Sequence, residues 1–190
     1  MTSSPDLVLL LAAARKGQRQ ALHDLLASHA RLAHTVALGA VGHWEDARDV
    51  VQAAFLTAVE RLHDCREPER FTGWLLQIVR HTGINQRRAA RRTRGRHEDY
   101  AMASEPQLLR EAPDQVARYE ARRTLLSGLA AVSERQRQIV LLHDLEGWKH
   151  QEIAEFLGIS ETLSRQELFV ARARFRAKVG GAELTRGALR

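Results

Sequence analysis

Apolar residues recur along this chain at three- and four-residue spacing, in blocks separated by glycine or proline. That spacing puts them on one side of an α-helix and predicts a helical protein. In the first block Ser4-Pro5-Asp6 offers a cap and a proline suited to the first helical position, and Leu7, Leu10, Leu11 and Ala14 share a face as far as Gly17. A second helix is expected from about Gln18, with Leu22, Leu25, Leu26, Leu32, Ala33 and Val36 inward, until Gly39 and Gly42 interrupt it. A third runs from Glu45 to about Leu62. Its apolar positions Val50, Val51, Ala54, Phe55, Ala58, Val59 and Leu62 face a core, while Glu45, Asp46, Arg48, Asp49 and Gln52 stay polar. After a loop at Asp64–Arg70, a fourth helix carries Phe71, Trp74, Leu75, Ile78 and Val79.

The pattern then changes. Arg80, Arg87, Arg88, Arg91, Arg92, Arg94 and Arg96 follow with no acid among them, a density that self-repels unless solvent or an anionic partner screens it. From Gly95 to Asp114 the chain has Pro106, Pro113 and the acids Glu98, Asp99, Glu105, Glu111 and Asp114, and reads as a flexible acidic linker. Helical spacing returns with Val116, Tyr119, Leu125, Leu126 and Leu129, and Ser133-x-x-Gln136 forms a capping box that opens a new helix, ended near Gly147. Next, Glu152 to Ser160 spells a helix with Ile153, Ala154 and Leu157 inward, a turn at Gly158, an apolar plug at Ile159 and a serine cap. The last helix, Glu161 to about Lys178, buries Leu168, Ala171 and Phe175 and exposes Thr162, Arg165, Gln166, Arg172, Arg174 and Arg176. This is a helix-turn-helix pattern, whose second helix would present short polar residues to base edges and arginines to phosphates.

Composition narrows the reading. The 190 residues carry 29 Lys plus Arg against 23 Asp plus Glu, a net +6 that favours a polyanionic partner, and the 5% aromatic content argues against a sandwich or barrel. Cys65 is the single cysteine, so no internal disulfide can form, and the nine histidines include no H-E-x-x-H. The longest apolar run, Leu7–Ala14, is far below the ~20 residues of a membrane helix. No catalytic residue, metal ligand or cofactor is expected, and the expected compartment is the cytoplasm. Taken alone, the helix-turn-helix could be an ordinary corner in a helical bundle, and the arginine run a solvated charged face.

Read in order, Asp49-Val50-Val51-Gln52-x-x-Phe55, Phe71-x-x-Trp74-Leu75-x-x-Ile78-x-Arg80, the arginine run, the linker and the C-terminal helix-turn-helix resemble the extracytoplasmic-function sigma factors of bacterial RNA polymerase. The resemblance spans Leu7 to Lys178. It implies an all-α protein of two small helical domains joined by a flexible linker: a sigma domain 2-like unit at 1–94, the linker at 95–113, a sigma domain 4-like helix-turn-helix at 114–178 and a tail at 179–190. It implies that Asp49, Gln52 and Phe55 bind the clamp of the largest polymerase subunit. Arg66, Arg70, Arg80, His81, Arg87, Arg88 and Arg91 would contact the opened minus-ten element, with a flipped base held at the Asp64–Phe71 loop. Here His81 stands where many members have an asparagine in that pocket. Thr162, Arg165, Gln166, Phe169, Arg172, Arg174 and Arg176 would read the minus-thirty-five element. The implied partners are core polymerase, through the clamp and the flap of the second-largest subunit, promoter DNA, and an anti-sigma factor or other regulator. The competing readings are a stand-alone helix-turn-helix regulator or sigma-like decoy, and a nucleic-acid enzyme, against which the lack of clustered carboxylates or a phosphate-binding glycine loop counts.

Overall fold

The computed structural model describes residues 5–94 and 123–179, and every regular element among them is helical. The acidic linker at 95–113, the positions Val116 and Tyr119, and the tail from Gly180 lie outside the described residues. Four helices make the N-terminal half: α1 (Pro5–Arg15), α2 (Arg19–Val41), α3 (Trp44–Glu60) and α4 (Phe71–Arg94). Two 3₁₀ turns, Leu62–Asp64 and Pro68–Arg70, occupy the expected loop before α4. The C-terminal half comprises α5 (123–130), α6 (Glu134–Val140), which continues as a π-helical turn at Leu141–Leu145, α7 (His150–Leu157) and α8 (Glu161–Val179).

Helix α2 is the hub. It packs on α1, α3 and α4 and also receives α6 and the π turn from the other half. One apolar cluster stays within the N-terminal half, joining Leu11, Leu25, Ala58, Leu62, Cys65, Phe71 and Leu75. The larger cluster crosses between halves, running from Ala33, Val36, Val50 and Val79 to Leu129, Ile139, Leu142, Ile153, Leu168 and Phe175. The two halves therefore share one continuous core.

Several local expectations change at this contact. Gly39 does not interrupt α2; the helix continues to Val41 and ends at Gly42, whose φ of 87° suits glycine. Gly39 lies in the interior because a Cβ there would come within 2.9 Å of Gln138 Cγ, so the absent side chain is what admits α6. Val59, expected inward, is exposed: the buried side of α3 is made by Ala47, Val50, Val51, Ala54 and Ala58, and Val59 lies off it. In α7, Phe156 is buried and Leu157 only partly, since the ring packs edge-on to Trp148 at 5.5 Å. Leu76, not anticipated, is fully buried in α4. The capping box at Ser133 forms as expected, its hydroxyl accepting from Gln136 N and its N–H donating to Gln136 Oε1, both at 3.2 Å.

Two glycines in helices should respond oppositely to alanine. A Cβ at Gly128 would overlap the buried Phe175 ring, whereas one at Gly73 meets nothing within 4 Å. Gly128→Ala is expected to destabilise by about 1–3 kcal/mol, and Gly73→Ala to stabilise by about 0.5–1 kcal/mol. Chemical denaturation of both variants checks the pair; equal effects would contradict the close α5–α8 packing.

Candidate nucleic-acid and polymerase interface

The polar face of α3 is built on a completed core. Ala47, Val50, Val51, Ala54 and Ala58 are buried on one side, which leaves Asp49 and Gln52 exposed on the other. At about 100° per residue, Leu56 falls between them, and it is 68% exposed. Phe55, which the apolar period places inward and the family resemblance assigns to the clamp, is half-buried and packs against both apolar clusters. Leu56 was missed because a leucine in an amphipathic helix is ordinarily assigned to the core.

Before α4, Arg66, between the two 3₁₀ turns, and Arg70, at the end of the second, are exposed, with Arg70 Nε 2.6 Å from Glu67 Oε2. Cys65 is buried beneath them; burial pushes its thiol pKa up, with Arg15 only partly opposing, so it is a packing residue and no nucleophile. On α4 the arginines divide. His81, Arg88 and Arg91 are exposed, whereas Arg80 and Arg87 are half-buried under the C-terminal half. Arg80 Nε donates to Gln138 Oε1 at 3.0 Å, and Arg87 Nη1 pairs with Glu134 Oε2 at 2.9 Å. Of the arginine run, Arg96 lies outside the described residues.

The helix-turn-helix follows from its local chemistry. Gly158 at φ 68° turns the chain after α7, and Ser160 Oγ accepts from Leu163 N at 3.1 Å to cap α8. Ser164, Leu168, Ala171 and Phe175 hold α8 inward. Thr162, Arg165, Gln166, Phe169 and Arg176 then form the outward stripe, with Phe169 78% exposed. Two arginines sit at its flanks. Arg172 Nε donates to Asp144 Oδ2 at 3.1 Å, which raises the Arg172 pKa, and Arg174 Nη1 reaches Gln136 Oε1 at 3.2 Å on the α6 side. Arg165 pairs with Glu161 one turn earlier. Behind α8, His150 stacks on His143 at 4.5 Å and bonds Ser164 Oγ at 2.9 Å; burial, then the neighbouring His143 and Arg165, lower its pKa and favour a neutral ring.

Sequence reasoning also missed the polar residues that join the halves. Arg137 is 3% exposed and donates to Gly39 O at 2.8 Å, Ala40 O at 3.4 Å and Leu129 O at 3.3 Å. Glu146, its side chain 2% exposed, pairs with Arg31 Nη2 at 2.6 Å and accepts from Thr35 Oγ1 at 2.6 Å. The available signal was the run Gln136-Arg137-Gln138 directly before four apolar residues, too polar for a core yet without an amphipathic period. Among the described residues no cluster of His, Cys, Asp and Glu could hold a metal ion. No described helix is long and apolar enough to cross a membrane.

Residues 25–93 match the family described as sigma-70 region 2, and residues 122–175 match sigma-70, region 4. The chain is 30% identical over 175 residues to the RNA polymerase sigma factor CarQ of Myxococcus xanthus, covering 90% of this chain and 95% of that protein. It is 28% identical over 173 residues to the ECF RNA polymerase sigma factor SigM of Mycobacterium tuberculosis, covering 90% and 83%. A Xanthomonas campestris relative named "Probable RNA polymerase sigma factor RfaY" is 30% identical over 165 residues, and there the alignment takes in 86% of this chain but 41% of the relative. Among solved structures, CnrH in complex with the cytosolic domain of CnrY superposes with a TM-score of 0.64 at 26% identity, covering 95% of this chain and all, 100%, of that one. The sigma factor RpoE of Bartonella quintana, in complex with the anti-sigma factor NepR, has a TM-score of 0.63 over 88% of this chain and 99% of that one, and at 18% identity it bears on the fold alone. With regions 2 and 4 in order on one chain and CarQ matched almost end to end, the protein belongs to the extracytoplasmic-function family of RNA polymerase sigma factors.

Proposed function

We propose that the chain directs core RNA polymerase to promoters through three surfaces, divided between a region 2 unit at 1–94 and a region 4 unit at 114–178. The observation that carries this reading is the pairing of two outward faces, α3 and α8, each backed by a finished apolar side, so that their polar residues are spare to the fold. Asp49, Gln52 and Leu56 bind the polymerase clamp, the leucine supplying apolar area and the polar pair fixing register. Arg66, Arg70, His81, Arg88 and Arg91 follow the opened minus-ten strand, joined by Arg80 and Arg87 once these are released. Thr162, Arg165, Gln166 and Phe169 read the minus-thirty-five element in the major groove, with Arg172, Arg174 and Arg176 toward phosphates. Two modules on one chain raise each other's effective concentration at a bipartite promoter. The protein then contributes binding and no chemistry of its own, and acts in the cytoplasm. The partner chains of CnrH and RpoE support a protein regulator for this chain as well.

Transcription from a genomic promoter library by native core polymerase, with and without this chain, tests the reading as a whole. A stand-alone regulator would bind duplex DNA yet leave core polymerase without promoter selectivity. Asp49→Ala with Gln52→Ala should reduce core binding while leaving stability within about 0.5 kcal/mol, as for surface sites; a titration of labelled core polymerase beside a melting curve checks both. On α8, Arg165→Ala or Gln166→Ala should relax base preference by about 1–3 kcal/mol per lost base contact. Arg176→Ala should instead weaken all sequences alike and lower the salt slope by about 0.9. Binding to a duplex library at several salt concentrations separates the two patterns, and their exchange would mean that α8 enters the groove in another rotation.

A further inference from the structure

We propose that His143 and His150, stacked behind α8, are positioning residues that set the seat of the DNA-reading helix and make its sequence discrimination fail on acidification. The inference rests on the assignment of α8 to the minus-thirty-five element given above. Of the four residues that α8 buries, Ser164 alone is polar, and it is 0% exposed. A buried hydroxyl needs a partner, and His150 Nδ1 supplies it from the start of α7 at 2.9 Å. Arg165 and Gln166 are the next two residues on α8, so this bond fixes the turn from which both reach outward. The histidine is itself held. Its ring lies 4.5 Å from that of His143 with 21° between the planes. His143 Nδ1 is 2.8 Å from Trp148 O, and because a carbonyl only accepts, that nitrogen carries a hydrogen and ties the ring to the chain entering α7.

This seat accommodates a neutral His150 and opposes a charged one. The neutral ring can accept the Ser164 hydrogen at Nδ1, whereas the protonated ring has only donors and turns the buried hydroxyl's hydrogen away. A proton also sets a cation among cations. Arg165 and Arg172 face His150 from α8, and His143 faces it from the π turn. Glu161 is the acid that opposes them and already pairs with Arg165, while Asp144 of the π turn is engaged by Arg172. On α7 itself Lys149 adjoins His150, and Glu152 accepts from the Lys149 N–H. Burial, then His143 and Arg165, hold the His150 pKa below the ordinary histidine value of 6.5. The folded chain therefore takes this proton less readily than the unfolded one, so the seat has its full strength at neutral pH and weakens as the pH falls below 6.5.

The full chain and two variants are titrated at about pH 7.5 and about pH 5.5, across the range in which histidine changes charge. Two duplexes serve as probes: the sequence best bound from a random library at the higher pH, and a shuffled sequence of the same composition. The ratio of the two affinities cancels any general gain in attraction to phosphate on acidification. In the parent this ratio should fall about tenfold at the lower pH, as for the loss of one base contact. His150→Asn can still accept from Ser164 yet takes no proton, and its ratio should stay level. His150→Leu offers no acceptor and should show the low ratio at both pH values. A parent ratio that does not change with pH, or a ratio in His150→Asn that falls as steeply as the parent's, would overturn the proposal. No preference between the duplexes at the higher pH would instead overturn the α8 reading, and melting temperatures without DNA then decide the seat by themselves. There the parent should lose more on acidification than His150→Asn, and equal losses would overturn the role of His150.

Discussion

The arrangement depends on one buried cation. Arg137 leaves α6 and places its guanidinium against the last turn of α2 and the end of α5, where it donates to three carbonyls. Those carbonyls belong to helix C-termini, which lack intrahelical donors and carry partial negative charge. α2 has no basic residue in its own last turn, so the cation that completes it comes from the other half of the chain. Burial, with the nearby Arg87 charge adding to it, pushes the Arg137 pKa down to about 10, still far above neutrality, so the group stays charged and must be fully bonded. Removing one partner of such a buried charged contact typically costs about 3–5 kcal/mol.

Around that contact the other features become consistent. Gly39 and Gly42 keep the end of α2 bare, since a Cβ at either would strike Gln138 or Arg137. α6 is buried on all sides from Gln136 to Val140, because α2 and α8 sandwich it. The π turn that follows lets Glu146 reach back to Arg31 and Thr35 while Asp144 holds Arg172 of α8. The helix-turn-helix is therefore oriented by the same segment that docks it on α2. What remains outward, on α3 and on α8, is what the fold does not use.

The sequence made some of this legible and concealed the rest for identifiable reasons. Elements whose buried apolar residues keep to one side of the helix, such as α1, α3 and α8, declare themselves by period, and the Ser133 and Ser160 caps and the Gly158 turn declare themselves by local chemistry. The exposed stripe Thr162, Arg165, Gln166 was read correctly on that basis. Arg80 and Arg87 were not distinguishable from Arg88 and Arg91, because a run of arginines carries no mark of which will meet Glu134 and Gln138 dozens of residues later. Arg137 and Glu146 were hidden for a related reason. A charged residue enters a core only when a long-range partner awaits it, and such partners have no fixed spacing along a chain. Leu56 gave no sign of its exposure, because adjacent apolar residues on α3 differ by about 100° in direction and only the packed structure shows that Phe55 turns inward and Leu56 outward.

If a cation and a continuous core truly unite the halves, the described fold should melt as a unit. Differential scanning calorimetry of the full chain measures this directly. A single transition whose calorimetric and van't Hoff enthalpies agree is the predicted result, with Arg137→Ala splitting it into two as each half loses the other. Two independent transitions in the parent chain, unaffected by Arg137→Ala, would contradict the account.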